Sequence, residues 1–261
     1  MADLKFQGEM ARIQRALAQC TDMTARRNAV FAALNLRTAE RVLEVGCGGG
    51  FYAYEAAQFV GPEGAVRAID ISEDQIKSAQ ERCADVPWVK CKVGDAVSLA
   101  YEDAEFDAIY GVQVLEYLPD IKRALQEFQR VLRPGGRIVI LATNWTSLVW
   151  NSRQPDRMRK ALAGWRKHAP ESDLPAILAS MLREVGLRLI HQVSVPVLNT
   201  SYNPSTLSYW AARLIRGYLV ASKAMSETEA TSWLDEFDDL EREGAYFFSV
   251  TPVLTQAMKV K

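Results

Sequence analysis

The chain is short of several things, and each shortage removes a class of function. Its 261 residues include only two histidines, His168 and His191, and four cysteines, Cys20, Cys47, Cys83 and Cys91. No cysteines form a C-x-x-C pair and the histidines lie far apart, so neither a structural zinc site nor a disulfide framework is expected, and no metal. An excess of one charge is also missing: 31 lysines and arginines face 32 acids, for a formal charge of −1. That balance offers little to a phosphate backbone and argues against a nucleic-acid partner. No apolar run approaches the roughly 20 residues that span a bilayer. The opening MADLKFQGEM lacks the charged-then-apolar layout of a signal peptide. The expectation is a cytoplasmic protein with reduced thiols, a monomer or a homodimer.

What is present is a globular balance, 49% hydrophobic and 24% charged, able to bury a substantial core. Phe6, Met10, Ile13 and Leu17 form one apolar stripe that predicts a first helix, and a second is predicted over Thr24–Leu34. Strands and helices then take turns. Strands are predicted over Arg41–Val45, Ala65–Asp70, Trp88–Val93, Phe106–Tyr110 and Arg137–Thr143. Helices are predicted over Phe51–Phe59, over Ser72–Ala84 with Ser72 and Gln75 spaced as a capping box, and through Ile121, Leu125, Phe128, Val131 and Leu132. This alternation predicts an α/β fold, a doubly wound parallel sheet with helices on both faces.

After Thr143 the rhythm loosens. Asn144–Pro170 is polar and basic, with one helix through Met158, Leu162 and Trp165. A helix over Leu174–Val185 and a strand over Leu187–Val195 follow. Two helices then come without a strand between them, one through Leu207, Trp210, Leu214 and Tyr218, the other from an N-cap at Ser226 to about Arg242. Tyr246–Met258 is a final strand. The chain reads as one domain over 1–261, with an N-terminal helical cap (1–36), a cofactor-binding core (37–195), a helical lid insertion (196–244) and the last strand (245–261).

In an open parallel sheet, ligands sit beyond the carboxyl ends of the strands. Four features fall at such ends. Glu44-Val45-Gly46-Cys47-Gly48-Gly49-Gly50 lets the backbone turn tightly and opens a helix whose free N–H groups favour negative charge. A dinucleotide fingerprint would need a glycine where Phe51 stands, which disfavours a nicotinamide oxidoreductase. Asp70 ends the next strand, where a carboxylate accepts from both ribose hydroxyls or serves the following helix N-terminus. Asp95 follows the third strand, as an acceptor for an exocyclic amino group or as a turn residue. Gly111 ends the fourth, where main chain can line a pocket.

These features resemble the class I S-adenosylmethionine (SAM)-dependent methyltransferases. VLEVGCGGG is similar to the family's first motif, RAIDIS to its ribose-binding strand end, VGDA to its adenine loop, and FDAIYGVQVLEYLPD and LRPGGRIVI to its fourth and fifth strand motifs. The resemblance implies a Rossmann-like seven-stranded sheet in the order 3-2-1-4-5-7-6 with the last strand antiparallel. It implies that Gly46 and Gly48 line the methionine moiety, Asp70 holds the ribose, Ile71 packs on adenine, Asp95 meets the adenine amino group and Glu44 acts near the cofactor's amino group. Cys47, Gln75, Ala96, Gly111 and Val112 complete that expected cofactor set, with S-adenosylhomocysteine as product. Many relatives carry histidine where Tyr117 stands, so no histidine base is assigned there, and no catalytic residue is named.

The expected partner is a small-molecule acceptor, aromatic or apolar, methylated on O, N or C. Its candidate contacts are Gln113, Asn144, Trp145, Asn199 and Tyr202. His168 reads as an exposed histidine at a helix end or as a general base. A cyclisation on the same fold and a non-catalytic SAM-binding subunit are the alternatives.

Overall fold

The computed structural model describes residues 8–260. Phe6 of the first apolar stripe and the side chain of Met10 lie outside the described set. The helices are α1 (Gly8–Leu17), α2 (Thr21–Leu34), α3 (Phe51–Val60), α4 (Glu73–Arg82), α5 (Ile121–Val131), α6 (Pro155–Trp165), α7 (Leu174–Glu184), α8 (Leu207–Ala221) and α9 (Glu227–Arg242). The strands are β1 (Arg41–Val45), β2 (Ala65–Asp70), β3 (Val89–Val93), β4 (Phe106–Val112), β5 (Leu132–Trp150), β6 (Leu187–Ser194), β7 (Val197–Asn199) and β8 (Phe248–Lys259). They order as β3-β2-β1-β4-β5-β8-β6, with β7 paired to β8.

This is the doubly wound Rossmann-like sheet, with eight strands in place of seven. The neighbours among β1 to β5 run parallel, whereas β6 and β8 pair antiparallel. The additional strand is β7, at the start of the segment expected as a helical lid, and it pairs with Val250, Ser249 and Phe248 of β8. β5 also exceeds its predicted limits at both ends, and Leu132, expected on the preceding helix, lies in this strand. Phe106 pairs with Leu132 and Ala108 with Arg137, so the stretch from Arg133 to Gly136 is left over opposite Asp107. Pro134, which has no N–H to give, sits in that excursion.

The chain divides into two compact units. One combines the described residues up to Arg26 with Asn144–Ser172 and Val195–Pro252; the other combines Arg27–Thr143, Asp173–Ser194 and Val253–Lys261. The division falls inside α2. α1, from the expected cap, and α8 and α9, from the expected lid, fall in one unit, whereas most of α2 falls in the other.

The unit that begins at Arg27 carries the parallel strands. Central strands β1 and β4 are almost wholly buried, as a sheet covered on both faces requires. Leu43, Ile109 and Ile138 meet Leu125, Phe128 and Val131 of α5 and Leu178 and Leu182 of α7 in one core. Local signals set the helix starts. Ser72 Oγ accepts from Gln75 N at 3.4 Å and Asp120 Oδ1 from Arg123 N at 2.8 Å.

The other unit is an aromatic helical core. Trp150 stacks on Phe237 at 4.6 Å and donates to Tyr246 Oη at 2.9 Å. Trp233, Phe248 and Ile215 fill in around them. α9 starts at its predicted cap, where Ser226 Oγ accepts from Glu229 N at 3.2 Å. Buried Glu236 accepts from Ser152 Oγ, Arg153 N and Arg157. Burial raises its pKa, but these hydrogen bonds outweigh that and hold it below the usual carboxylate range.

Candidate cofactor site

The strand order reverses at β1, which has β2 on one side and β4 on the other. This is the switch point at which an open α/β sheet takes its ligand. The glycine loop leaves β1 there. Gly46 N and Cys47 N both donate to Ile69 O, at 2.8 and 2.9 Å, so the loop turns across the end of β2. Gly46 and Gly48 have φ of 71° and 50°, a region costly for a residue with a Cβ. A Cβ on Gly46 would strike Val114, whereas one on Gly48 would meet nothing within 4 Å. Gly46 is therefore closed in by protein, and Gly48 faces open space.

Asp70 ties this loop to β2. Its Oδ2 accepts from Gly48 N and its Oδ1 from Ser72 N, each at 2.9 Å. The second bond occupies the place that Gln75 would take in a reciprocal capping box; Gln75 itself is buried in the first turn of α4. Burial raises the Asp70 pKa, against the pull of the backbone donors. Next to it Ile71 is 76% exposed. This leaves an apolar surface bare beside the carboxylate at the switch point. Gly94 N donates to Asp70 O at 3.0 Å, which sets the third strand's loop beside β2. Exposed Asp95 there accepts from Val97 N at 3.0 Å, while Ala96 is buried.

Glu44 lies beneath the loop. It is buried and accepts from Tyr110 Oη at 3.1 Å, and burial drives its pKa well up. Cys47 is buried as well, and burial raises its thiol pKa, so it is not a ready nucleophile. All four cysteines are free. Across the sheet, Gly111 pairs with Val45 and Val112 with Leu141, so the ends of β1, β4 and β5 stand side by side. Gln113 follows with φ of 55° and joins Glu116 and Thr143 in a hydrogen-bonded group. Glu116 and Thr143 were not among the sequence candidates. The signal for Glu116 was a lone acid inside the apolar run VQVLEYL.

Cofactor candidates and Gln113 thus share one unit, whereas Asn144, Trp145, Asn199 and Tyr202 belong to the other. There the last two, expected as substrate contacts, are both buried. Buried Asn199 donates to Asp22 Oδ2 at 3.0 Å and accepts from Ser208 N at 3.1 Å, which anchors the start of α8. Tyr202 packs among Tyr209, Phe237 and Tyr246, with its hydroxyl on Arg213 at 2.9 Å. Asn144 accepts from Thr146 N and Oγ1 in a local turn. Trp145 sets its ring edge-on to Trp165 and His168.

His168 is buried, not exposed. It stacks on Trp165 at 3.6 Å, and its Nδ1 lies 2.6 Å from Trp165 O, which makes Nδ1 the protonated nitrogen. Burial lowers its pKa from 6.5 to about 4, partly opposed by that bond. Between these values the unfolded chain takes a proton that the folded chain refuses. Stability is therefore expected to fall as pH drops from about 6.5 to about 4. Urea unfolding across this window should show a flatter pH slope for His168→Phe; equal slopes would refute a buried neutral His168.

Among the described residues, no cluster of three or more His, Cys, Asp or Glu could hold a metal ion, and no helix is long and apolar enough to cross a membrane.

A glycine loop at a switch point, with acids at two neighbouring strand ends, defines a nucleotide-type cofactor domain. Known proteins resemble this core. Residues 43–140 match the Methyltransferase domain family. Demethylmenaquinone methyltransferase of Staphylococcus aureus is 37% identical over 122 residues, which cover 47% of this chain and 51% of that protein. The chain's matches span a third to a half of the curated relatives' length, 34% and 51% for two of them. Two solved structures share the fold. The [4+2]-cyclase SpnF aligns over 91% of this chain and 81% of its own, with TM-score 0.60 and 22% identity. Geranyl diphosphate C-methyltransferase from Streptomyces coelicolor A3(2) aligns over 99% and 89%, with TM-score 0.59 and 16% identity. Over this core the chain is similar to the class I SAM-dependent methyltransferases.

Proposed function

We propose that this protein transfers a methyl group from SAM to O, N or C of a small-molecule metabolite in the cytoplasm. The observation that carries the reading is the contrast between Gly46, filled behind by Val114, and Gly48, open, with Asp70 and bare Ile71 beside it. The residues fit the cofactor. Gly48 leaves room for the methionine moiety, Asp70 has lone pairs for the ribose, Ile71 offers its face to adenine, and Asp95 accepts from the exocyclic amine. When bound, SAM supplies an electrophilic methyl on a sulfonium. In-line displacement needs alignment and exclusion of water above all, so the lack of a base at Tyr117 is no obstacle.

Two comparisons support a small-molecule acceptor: by name, a curated relative acts on demethylmenaquinone and a protein of the same fold on geranyl diphosphate. The fold shared with a [4+2]-cyclase favours cyclisation as the second reading. The test is calorimetric titration with SAM, S-adenosylhomocysteine and NAD, followed by mass spectrometry of a metabolite extract incubated with SAM. SAM binding and a product heavier by one methylene are expected. NAD binding without SAM binding would overturn the cofactor assignment. A converted metabolite of unchanged mass, with SAM retained, would favour cyclisation.

A further inference from the structure

Gln113 has a main chain that its residue type disfavours. It is neither glycine nor asparagine, yet its φ of 55° is left-handed. Residues held in that region persist where their surroundings over-determine them, and they gather at functional sites. The surroundings here are specific. Gln113 N donates to Leu141 O at 2.8 Å. Its side-chain Nε2 donates to Glu116 Oε1 at 2.8 Å, and its Oε1 accepts from Thr143 Oγ1 at 2.5 Å. Glu116 is 0% exposed, and its Oε1 also lies 3.5 Å from Thr143 N. The amide is thus held at both ends, by residues after β4 and at the end of the sheet portion of β5. That makes Gln113 a poor choice for a hydrogen bond to an acceptor substrate, the role its position first implies.

The turn at Gln113 instead decides where Val114 goes. Val114 lies hard against Gly46: a Cβ on that glycine would stand 2.1 Å from Val114 Cγ2 and 2.9 Å from Cγ1. Gly46 is the first residue of the cofactor loop and is pinned on its other side to Ile69 O. Val114 is therefore the back wall of the loop, and the angle of that wall is set one residue earlier.

We propose that Gln113 is a positioning residue for the cofactor loop. Clamped by Glu116 and Thr143, it holds Val114 on Gly46 and so presents Gly46–Gly50 in the conformation that takes SAM. The inference rests on the methyltransferase reading, but the clamp itself is a property of the protein without ligand and can be tested there.

Gln113→Gly keeps the left-handed turn without strain and removes only the clamp. Its thermal midpoint is expected to stay within a few degrees of the parent. Amide exchange at Gly46–Gly50 is expected to speed up at least tenfold, and SAM affinity to fall at least tenfold. KM for SAM should rise more than kcat falls. Glu116→Gln, which keeps an acceptor oxygen for Gln113, is expected to recover most of the affinity lost in Glu116→Ala. Val114→Ala removes the wall itself and must move exchange and affinity the same way, even if Gln113→Gly does not fold. Folded Gln113→Gly or Val114→Ala with parental exchange at the loop overturns the proposal. If the parent does not bind SAM, the methyltransferase reading fails separately, and exchange at the loop still decides the clamp.

Discussion

Asp70→Ala is expected to weaken SAM binding by on the order of 100-fold while leaving the chain folded. The carboxylate accepts from Gly48 N and Ser72 N, each at 2.9 Å. Under the methyltransferase reading it also accepts from the ribose. Hydrogen bonds to a charged group contribute about 1.5–3 kcal/mol each, and about 1.4 kcal/mol is a factor of ten in affinity. Losing the ribose contact and the Gly48 tether together gives the stated effect. Asp70→Asn keeps one acceptor oxygen but turns an NH₂ toward a donor, so an intermediate loss is expected. The pH dependence has a definite sign. Burial raises the Asp70 pKa above its ordinary 3.8, and binding needs the carboxylate. SAM affinity should therefore decline with acid earlier than an exposed aspartate would allow, and binding near that pKa should release a proton. Calorimetry in two buffers of different ionisation enthalpy reads that proton directly. Parental affinity in Asp70→Ala would remove Asp70 from the site.

Much of this site was legible in the sequence, for a physical reason. Alternation of strand and helix is a local pattern, and it places Gly46–Gly50, Asp70 and Asp95 at successive strand ends without any long-range information. The glycines announce a backbone that other residues adopt at a cost. Gln113 was selected by position alone, because no residue type signals a strained turn held by Glu116 and Thr143. Asn199 and Tyr202 read as substrate contacts because NTSYNPST looks like a polar loop with an aromatic to spare. The partners that consume them, Asp22 and Arg213, lie 177 and 11 residues away in sequence. β7 escaped notice for a similar reason. A three-residue strand exists only through its pairing with Phe248–Val250, which no local pattern foretells. His168, polar and two residues before Pro170, looked exposed; its burial depends on a stack with Trp165 and contacts that only tertiary packing creates.

Gly46→Ala and Gly48→Ala are expected to fail in different ways, though the two glycines are two positions apart. At Gly46 the new Cβ would fall 2.1 Å from Val114 Cγ2 with φ at 71°, so both sterics and backbone resist it. Overpacking of a filled site costs about 1–3 kcal/mol, and the left-handed backbone adds about 1–2 kcal/mol. Gly46→Ala should lower the thermal midpoint clearly and release the loop from β4. At Gly48 a Cβ meets nothing within 4 Å, so only the backbone term applies. Gly48→Ala should stay folded with a modest loss of stability. Its methyl group nonetheless enters the space assigned to the methionine moiety, so SAM binding should fall at least as far as in Gly46→Ala. The measurement is a thermal midpoint and a SAM dissociation constant for each variant. A Gly48→Ala protein that binds SAM as the parent does would mean that the open space at Gly48 belongs to solvent, and the cofactor would then have to lie elsewhere along the strand ends.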